Sequence, residues 1–241
     1  MDKIALISDI HGNIPALETV LNSIRSRGIN RIMCLGDLVG KGPEPDKAVD
    51  MIRESCHLVL LGNWDYLIKQ PFENEAFAWN RELLGRERLN YLSSLPKYYE
   101  FFLSGKLVRL SHAHPDDIFN RIFVSDSIDK KMTMFNRVDQ GEIPSVVGYG
   151  DIHTAYIQSF KEKTIFNTAS VGNSLDINQA SYVQLSGNLT ENSGEISIEF
   201  VRIPYDIQRS ISIAKKANMP EWEEYAQELT TCKYRGLKKL V

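Results

Sequence analysis

The sequence predicts an α/β protein, on three observations. Apolar runs of strand length alternate with amphipathic segments of helix length through residues 3–63. Strand-like runs dominate from residue 98 to residue 204. Residues with coordinating or acid–base side chains collect directly behind the apolar runs, where the sites of open α/β sheets form.

Residues 3–8, KIALIS, read as a buried strand. A helix follows, with Asn13 as N-cap, Leu17, Val20, Leu21 and Ile24 at helical spacing, and Gly28 as its stop. RIMCLGD (31–37) is a second strand, GPEPDKAVDMIRES (42–55) a turn and amphipathic helix, and CHLVLLGN (56–63) a third strand. That β-α-β-α-β order implies parallel strands with helical crossovers. Residues 72–95 have helical spacing and many charges. They predict one or two surface helices, packed on the core by Phe77, Trp79, Leu83, Leu84, Leu89 and Leu92. Strands then follow at YYEFFL (98–103), KLVRLSH (106–112), SVVGYG (145–150), TIFNT (164–168), SYVQLS (181–186) and EISIEFVRIP (195–204). A helical tail is expected from about 205 to 241, clearest between Tyr205 and Thr231. No repeat, low-complexity tract or linker interrupts the chain, so one domain over residues 1–241 is expected.

Composition narrows the function. A net charge of −3 supplies no basic field to recruit nucleic acid or an anionic membrane, so no specific nucleic-acid binding is expected. No apolar stretch reaches the ~18 residues of a membrane span. The N-terminal apolar run is too short for a signal peptide. Cys34, Cys56 and Cys232 are an odd three with no C-x-x-C pair, which points to a reducing compartment. Cys34 reads as a small buried strand residue. A cytoplasmic location is expected, and the oligomeric state is left open.

The polar residues behind the runs carry the chemistry. They are Asp9 and His11; Asp37; Asn63 and Asp65; His112 and His114; and Asp151 and His153. Taken singly, each reads as a turn former, a cap or a packed residue. Taken together, carboxylates and imidazoles on one rim repel or stay unsatisfied without a cation. A pair of ions bridged by one carboxylate resolves this, and mixed O and N ligands suit Mn, Fe, Zn or Co better than Ca. Two such ions suit in-line displacement at phosphorus.

Asp9/His11 in D-x-H, Gly36/Asp37/Gly40 in G-D-x-x-G and Gly62/Asn63/Asp65 in G-N-x-D resemble the motif set of the calcineurin-like metallophosphoesterase superfamily. SHAHP, GDIH and NTASVGN resemble its later single-histidine turn, G-H-x-H turn and N-P-G-S loop. CLGDLVGKGPEP and LGNWD look similar to small bacterial phosphodiesterases and to diadenosine-polyphosphate-hydrolase-like proteins. The resemblance implies a β-sandwich of two mixed sheets flanked by helices, the four-layer metallophosphoesterase fold. It implies one metal on Asp9, His11, Asp37 and His153, and a second on Asp37, Asn63, His112 and Asp151. It also implies that Asp37, Asn63 and His112 carry the catalysis.

Two departures qualify the match. The family's usual G-N-H-[D/E] histidine, which contacts phosphate and protonates the leaving oxygen, is Trp64 here; indole transfers no proton near neutral pH. Trp64 can instead stack on a base or aryl group or serve as packing. Asp151 replaces the first histidine of G-H-x-H, adding one negative charge and favouring a monoanionic diester. Lys41 and Asn13 are further substrate contacts expected at the rim, and His114 a possible compensating residue.

The expected activity is therefore that of a dimetal phosphoesterase with two divalent or mixed-valence ions, Mn, Fe or Zn. It would hydrolyse a small phosphodiester or nucleotide polyphosphate through a metal-bridging hydroxide. The alternatives are a catalytically weak scaffold of the same fold and a protein serine/threonine phosphatase.

Overall fold

The strand β1 (Asp2–Ile7) is wholly buried from Ile4 onward and runs into a polar turn at residues 8–13. This is a computed structural model, and it describes residues 1–71, 74–138 and 141–235. The helix α1 (Ile14–Ser26) starts where the Asn13 side chain accepts from Ala16 N at 3.3 Å. It buries Leu17, Val20, Leu21 and Ile24, and Gly28 supplies the left-handed turn behind it (φ +66°). Next come β2 (Arg31–Cys34), α2 (Pro45–Ser55) and β3 (Leu58–Val59). The third strand is shorter than its apolar run. Leu60 N still bonds Cys34 O, but Leu61 N turns to Pro96 O, and the chain bends into the short helix α3 (Asn63–Leu67).

α4 (Glu75–Ser93) follows, broken by Gly85 in a non-helical conformation (φ 63°, ψ 174°). Leu84 and Leu92 are buried as expected, and Phe77 and Leu89 pack on the same core. Two expectations are corrected. Leu83 is exposed, and Trp79 packs on the C-terminal helices rather than on the main core. Residues 72 and 73 of the predicted helical segment lie outside the described residues.

The second half contains β4 (Tyr98–Leu103), β5 (Lys106–Ser111), α5 (Ile128–Met132), β6 (Val146–Tyr149), β7 (Tyr156–Phe160), β8 (Lys163–Asn167), β9 (Ala180–Gly187) and β10 (Ser197–Ile203). Strand β7 was not foreseen: it is a sheet edge of alternating half-buried and exposed residues, without an apolar run. The tail forms α6 (Ile207–Lys216) and α7 (Trp222–Thr231); residues 236–241 lie outside the described residues.

The strands make two five-stranded mixed sheets, ordered β10-β9-β1-β2-β3 and β4-β5-β6-β8-β7. In the first, β1, β2 and β3 are parallel and β9 runs antiparallel to both its neighbours, β1 and β10; in the second, β5, β6 and β8 are parallel. The sheets face each other through Ile4, Leu6, Val183 and Leu185 on one side and Val108, Leu110, Val146 and Phe166 on the other. α1, α2 and α4 cover the outside of the first sheet. The segment around α5 covers the second, held by Arg109, whose buried guanidinium bonds Glu100, Met134 O and Asn136 O. Among the described residues no helix is long and apolar enough to cross a membrane.

Candidate metal centre and its cavity

Parallel pairing puts the carboxyl ends of β1 and β2 side by side in one sheet and those of β5 and β6 side by side in the other. The turns beyond them meet. Asp9 N donates to Gly36 O (2.9 Å), His11 N to Asp37 O (3.0 Å), and Gly150 N to His112 O (2.9 Å). Five expected ligands occupy the left-handed region: Asp9, His11, Asp37, Asp151 and His153, with φ between 49° and 68°. Asp and His tolerate that region better than most residues, yet it stores backbone strain, which is characteristic of functional sites. Two glycines make room. A methyl group at Gly62 would overlap Asp37 Oδ1, and one at Gly150 would overlap Ser8 Oγ and crowd Asp9 Oδ2.

Three imidazoles are oriented alike. His11 Nδ1 donates to Val39 O (2.8 Å), His112 Nδ1 to Leu35 O (3.0 Å) and His153 Nδ1 to Asn173 O (2.6 Å). Such bonds fix the tautomer and leave each Nε2 lone pair directed inward. His11 Nε2 and His153 Nε2 lie 3.2 Å apart, and Asp9 Oδ1 lies 3.1 Å from His153 Nε2 and 3.9 Å from His11 Nε2. Asp37 faces a histidine with each oxygen: Oδ2 is 3.7 Å from His11 Nε2 and Oδ1 is 3.4 Å from His112 Nε2.

These contacts fit a bound cation. His112 Nε2 and Asp151 Oδ2 are buried without a hydrogen-bond partner, and Asp9 Oδ1 has only its close approach to His153 Nε2. Asp9, His11 and His153 form one group with metal-binding spacing, and Asp9, Asp37 and His112 a second. Burial pushes the pKa of His11 down to about 3. For His112, burial favours the neutral ring, but Asp37, with Asp9 and Asp151, outweighs it and raises the pKa to about 10. For Asp9, burial favours the neutral acid, but His153, His112 and His11 outweigh it and hold the pKa low. The carboxylates thus favour a positive charge beside His112, while His11 is held neutral, and the donor set of carboxylates and imidazole Nε2 atoms fits a divalent transition metal.

Asn63 and Asp151 sit at the second group. Asn63 Nδ2 donates to Asp151 Oδ1 at 2.6 Å, and His112 Nε2 lies 3.9 Å from the same oxygen. Burial raises the Asp151 pKa. Asp65 points away from the centre and accepts from Asp37 N, Leu38 N and Gly62 N at 2.8–3.1 Å, bracing two turns at once.

The centre forms the floor of a cavity of about 740 Å³. Lys41 and Trp64, both expected near substrate, line it. The Lys41 ammonium is nearly buried; it donates to Asn173 Oδ1 (3.2 Å) and lies 3.6 Å from Glu228 Oε2. Trp64 stacks on Phe77 (ring centroids 5.4 Å apart), covers Gly40, and presents an edge contact to His11. Asn13 is not on the cavity. It is wholly buried, bonding Gly172 O, Tyr205 and Ser210, so it braces turns rather than meeting substrate. His114 is not on the cavity lining either; its ring accepts from Asp116 N within its own turn.

Three residues escaped the sequence reading. Arg121 lines the cavity, with Nε 3.3 Å from Asp151 Oδ1. Tyr234 lies over Lys41 (5.1 Å to the ring centroid), contacts the Arg121 side chain, and lines the same cavity. Glu228 of α7, fully buried, joins Lys41, Asn173 and Arg235. None follows a strand, so position behind an apolar run could not reveal them.

Comparison with known proteins agrees with this geometry. The family model described as calcineurin-like phosphoesterase matches residues 2–153. The "Uncharacterized protein MJ0912" of Methanocaldococcus jannaschii is 36% identical, over 91% of this chain and 94% of its own. "Phosphodiesterase YfcE" of Escherichia coli is 32% identical over 37% of this chain and 55% of its own. A crystal structure of a metallophosphoesterase from Sphaerobacter thermophilus covers 96% of this chain and 100% of its own, with a TM-score of 0.79 at 23% identity, a likeness of fold.

Proposed function

Because the chain belongs to the calcineurin-like phosphoesterase family, we propose that it is a metal-dependent hydrolase of a small phosphodiester or nucleotide polyphosphate. The observation that carries this reading is the convergence of inward-facing Nε2 atoms and buried carboxylate oxygens on a cavity floor. Asp9, His11, Asp37 and His153 would hold one ion, and Asp37, Asn63, His112 and Asp151 the other. The Asp37 distances to His11 and His112 support its sharing between the two. Bound Mn, Fe or Zn ions supply Lewis acidity and a nucleophile near neutral pH.

The protein's own groups do the rest. The backbone bonds at the three histidine Nδ1 atoms keep the ligand nitrogens aimed before any ion arrives. Asn63 stands at the start of α3, where its amide can pass from Asp151 to a phosphoryl oxygen. Lys41 and Arg121 place positive charge on the walls, where a phosphate anion would enter. Arg121 also offsets the negative charge of Asp151, so charge at position 151 no longer argues for a diester.

The preference for a diester rests instead on Trp64. Trp64 lines the cavity but its indole transfers no proton, and His114 is off the lining, so neither replaces the family's histidine, and a leaving group that departs with little protonation is favoured. Phosphate and aryl oxides can do so, whereas a serine alkoxide cannot, which disfavours protein phosphatase activity. The test compares a bis-aryl diester, an aryl monoester and a phosphoserine peptide with Mn or Zn present. The diester should be fastest. An absence of metal-dependent turnover on all three would contradict hydrolysis and leave the scaffold alternative.

A further inference from the structure

The metal centre occupies only the floor of the cavity; apart from Lys41 and Arg121, the walls are mainly apolar, with Trp64, Leu67, Phe119, Phe123, Leu175 and Tyr234. A volume of about 740 Å³ lies within the range of sites that enclose a drug-sized ligand and is far more than a bare phosphate fills. Phe119 and Phe123 remain 48% and 44% exposed, an unusual placement for two phenyl rings flanking a charged site.

The loop that carries them is held firmly. Phe119 N donates to Asp117 Oδ1 (2.9 Å), and Phe123 N to Asp126 Oδ2 (2.8 Å). Between the rings, Ile122 is buried in the core beside the second sheet, and its carbonyl accepts from the Tyr149 hydroxyl (2.6 Å). The neighbouring Arg121 turns inward to Asp151. The remaining rings are also fixed: Trp64 by stacking on Phe77, Phe119 by an edge contact with Tyr66 at 5.7 Å, and Tyr234 by Lys41.

We propose that the cavity walls bind a planar aromatic group, an aryl ring or nucleobase, esterified to the phosphate held at the metal floor. Walls built of flat rings match a flat guest through offset stacking and edge contacts. A flexible acyl chain covering the same area would lose more rotational freedom on binding. This inference rests on the phosphoesterase reading and names the substrate class for that site.

The test uses three probes that are not hydrolysed, methylphosphonate, octylphosphonate and naphthylmethylphosphonate, titrated calorimetrically into the Mn-loaded protein. The naphthyl probe should bind roughly 10-fold or more tighter than the methyl probe, and tighter than the octyl probe. In Phe119→Ser/Phe123→Ser, which alters two exposed side chains, the naphthyl-to-methyl affinity ratio should fall toward one. Equal binding of naphthyl and methyl probes, a stronger octyl probe, or a ratio unchanged in the double variant would overturn the inference and leave phosphoester hydrolysis standing. If no probe binds the loaded protein, both readings fall.

Discussion

His11 and His153 meet nitrogen to nitrogen: their Nε2 atoms lie 3.2 Å apart while both Nδ1 atoms donate to backbone carbonyls. With both Nδ1 atoms so engaged, the two Nε2 atoms face each other beside the carboxylate of Asp9. A divalent ion between them would turn that approach into ligation.

Removing metal should therefore destabilise the fold. At a hundredfold excess over Kd, a bound ion stabilises by about 3 kcal/mol. For a chain of this size, chelation should lower Tm by roughly 5–10 °C, and added Mn or Zn should restore it. Thermal unfolding with and without chelator checks this. An unchanged Tm would mean the two histidines are satisfied without an ion.

Arg121 and an ion would compete for the Asp151 carboxylate, since the guanidinium lies 3.3 Å from Oδ1. Arg121→Ala should tighten the weaker of two metal-binding steps by up to ~10-fold, and Asp151→Ala should weaken that step while sparing the tighter one. Metal titration of the three proteins reads both effects. Identical isotherms would make Asp151 a turn residue only.

Trp64→His should restore a proton donor. The gain, up to ~10²-fold in kcat/KM, should appear on esters with poor leaving groups and not on bis-aryl diesters. A series of esters with graded leaving-group pKa values is the measurement. Equal effects across the series would assign position 64 to packing on Phe77 and Gly40.

Glu228 links the C-terminal helices to the site. Burial would raise its pKa, but Lys41 and Arg235 outweigh burial and hold it below the ordinary value of 4.5. A depressed carboxylate stabilises the fold above its unfolded pKa, and that contribution is lost as pH falls through the folded value. Glu228→Gln, which strips the partner from nearly buried Lys41, should cost about 3–5 kcal/mol near neutral pH. The Tm difference from wild type should shrink as pH falls below about 4.5. A difference that does not change with pH would exclude an ionised Glu228.

Much of the centre was legible because its ligands obey a local rule: Asp9, His11, Asp37, His112, Asp151 and His153 each follow a strand that an apolar run announces. The two-sheet architecture was not legible from such runs and came through the motif resemblance. Edge strand β7 was missed because a half-exposed strand has no apolar run to announce it. Asn13 caps α1 as its place before the helix suggests, but it is not at the rim, because its amide is spent on Gly172 and Tyr205, far along the chain. Arg121, Glu228 and Tyr234 reach the site through tertiary packing of the 115–126 loop and the tail, and nothing in their neighbours in sequence marks them.

The account depends most on two ions sharing Asp37, whose oxygens face His11 and His112. Elemental analysis of protein equilibrated with Mn or Zn and freed of excess tests this directly, on wild type and on Asp37→Asn. Two ions per chain are expected in wild type, with one or none in the variant and a loss of turnover of at least ~10²-fold. A wild-type protein that retains no ion, or a variant that retains two ions and full turnover, would contradict it.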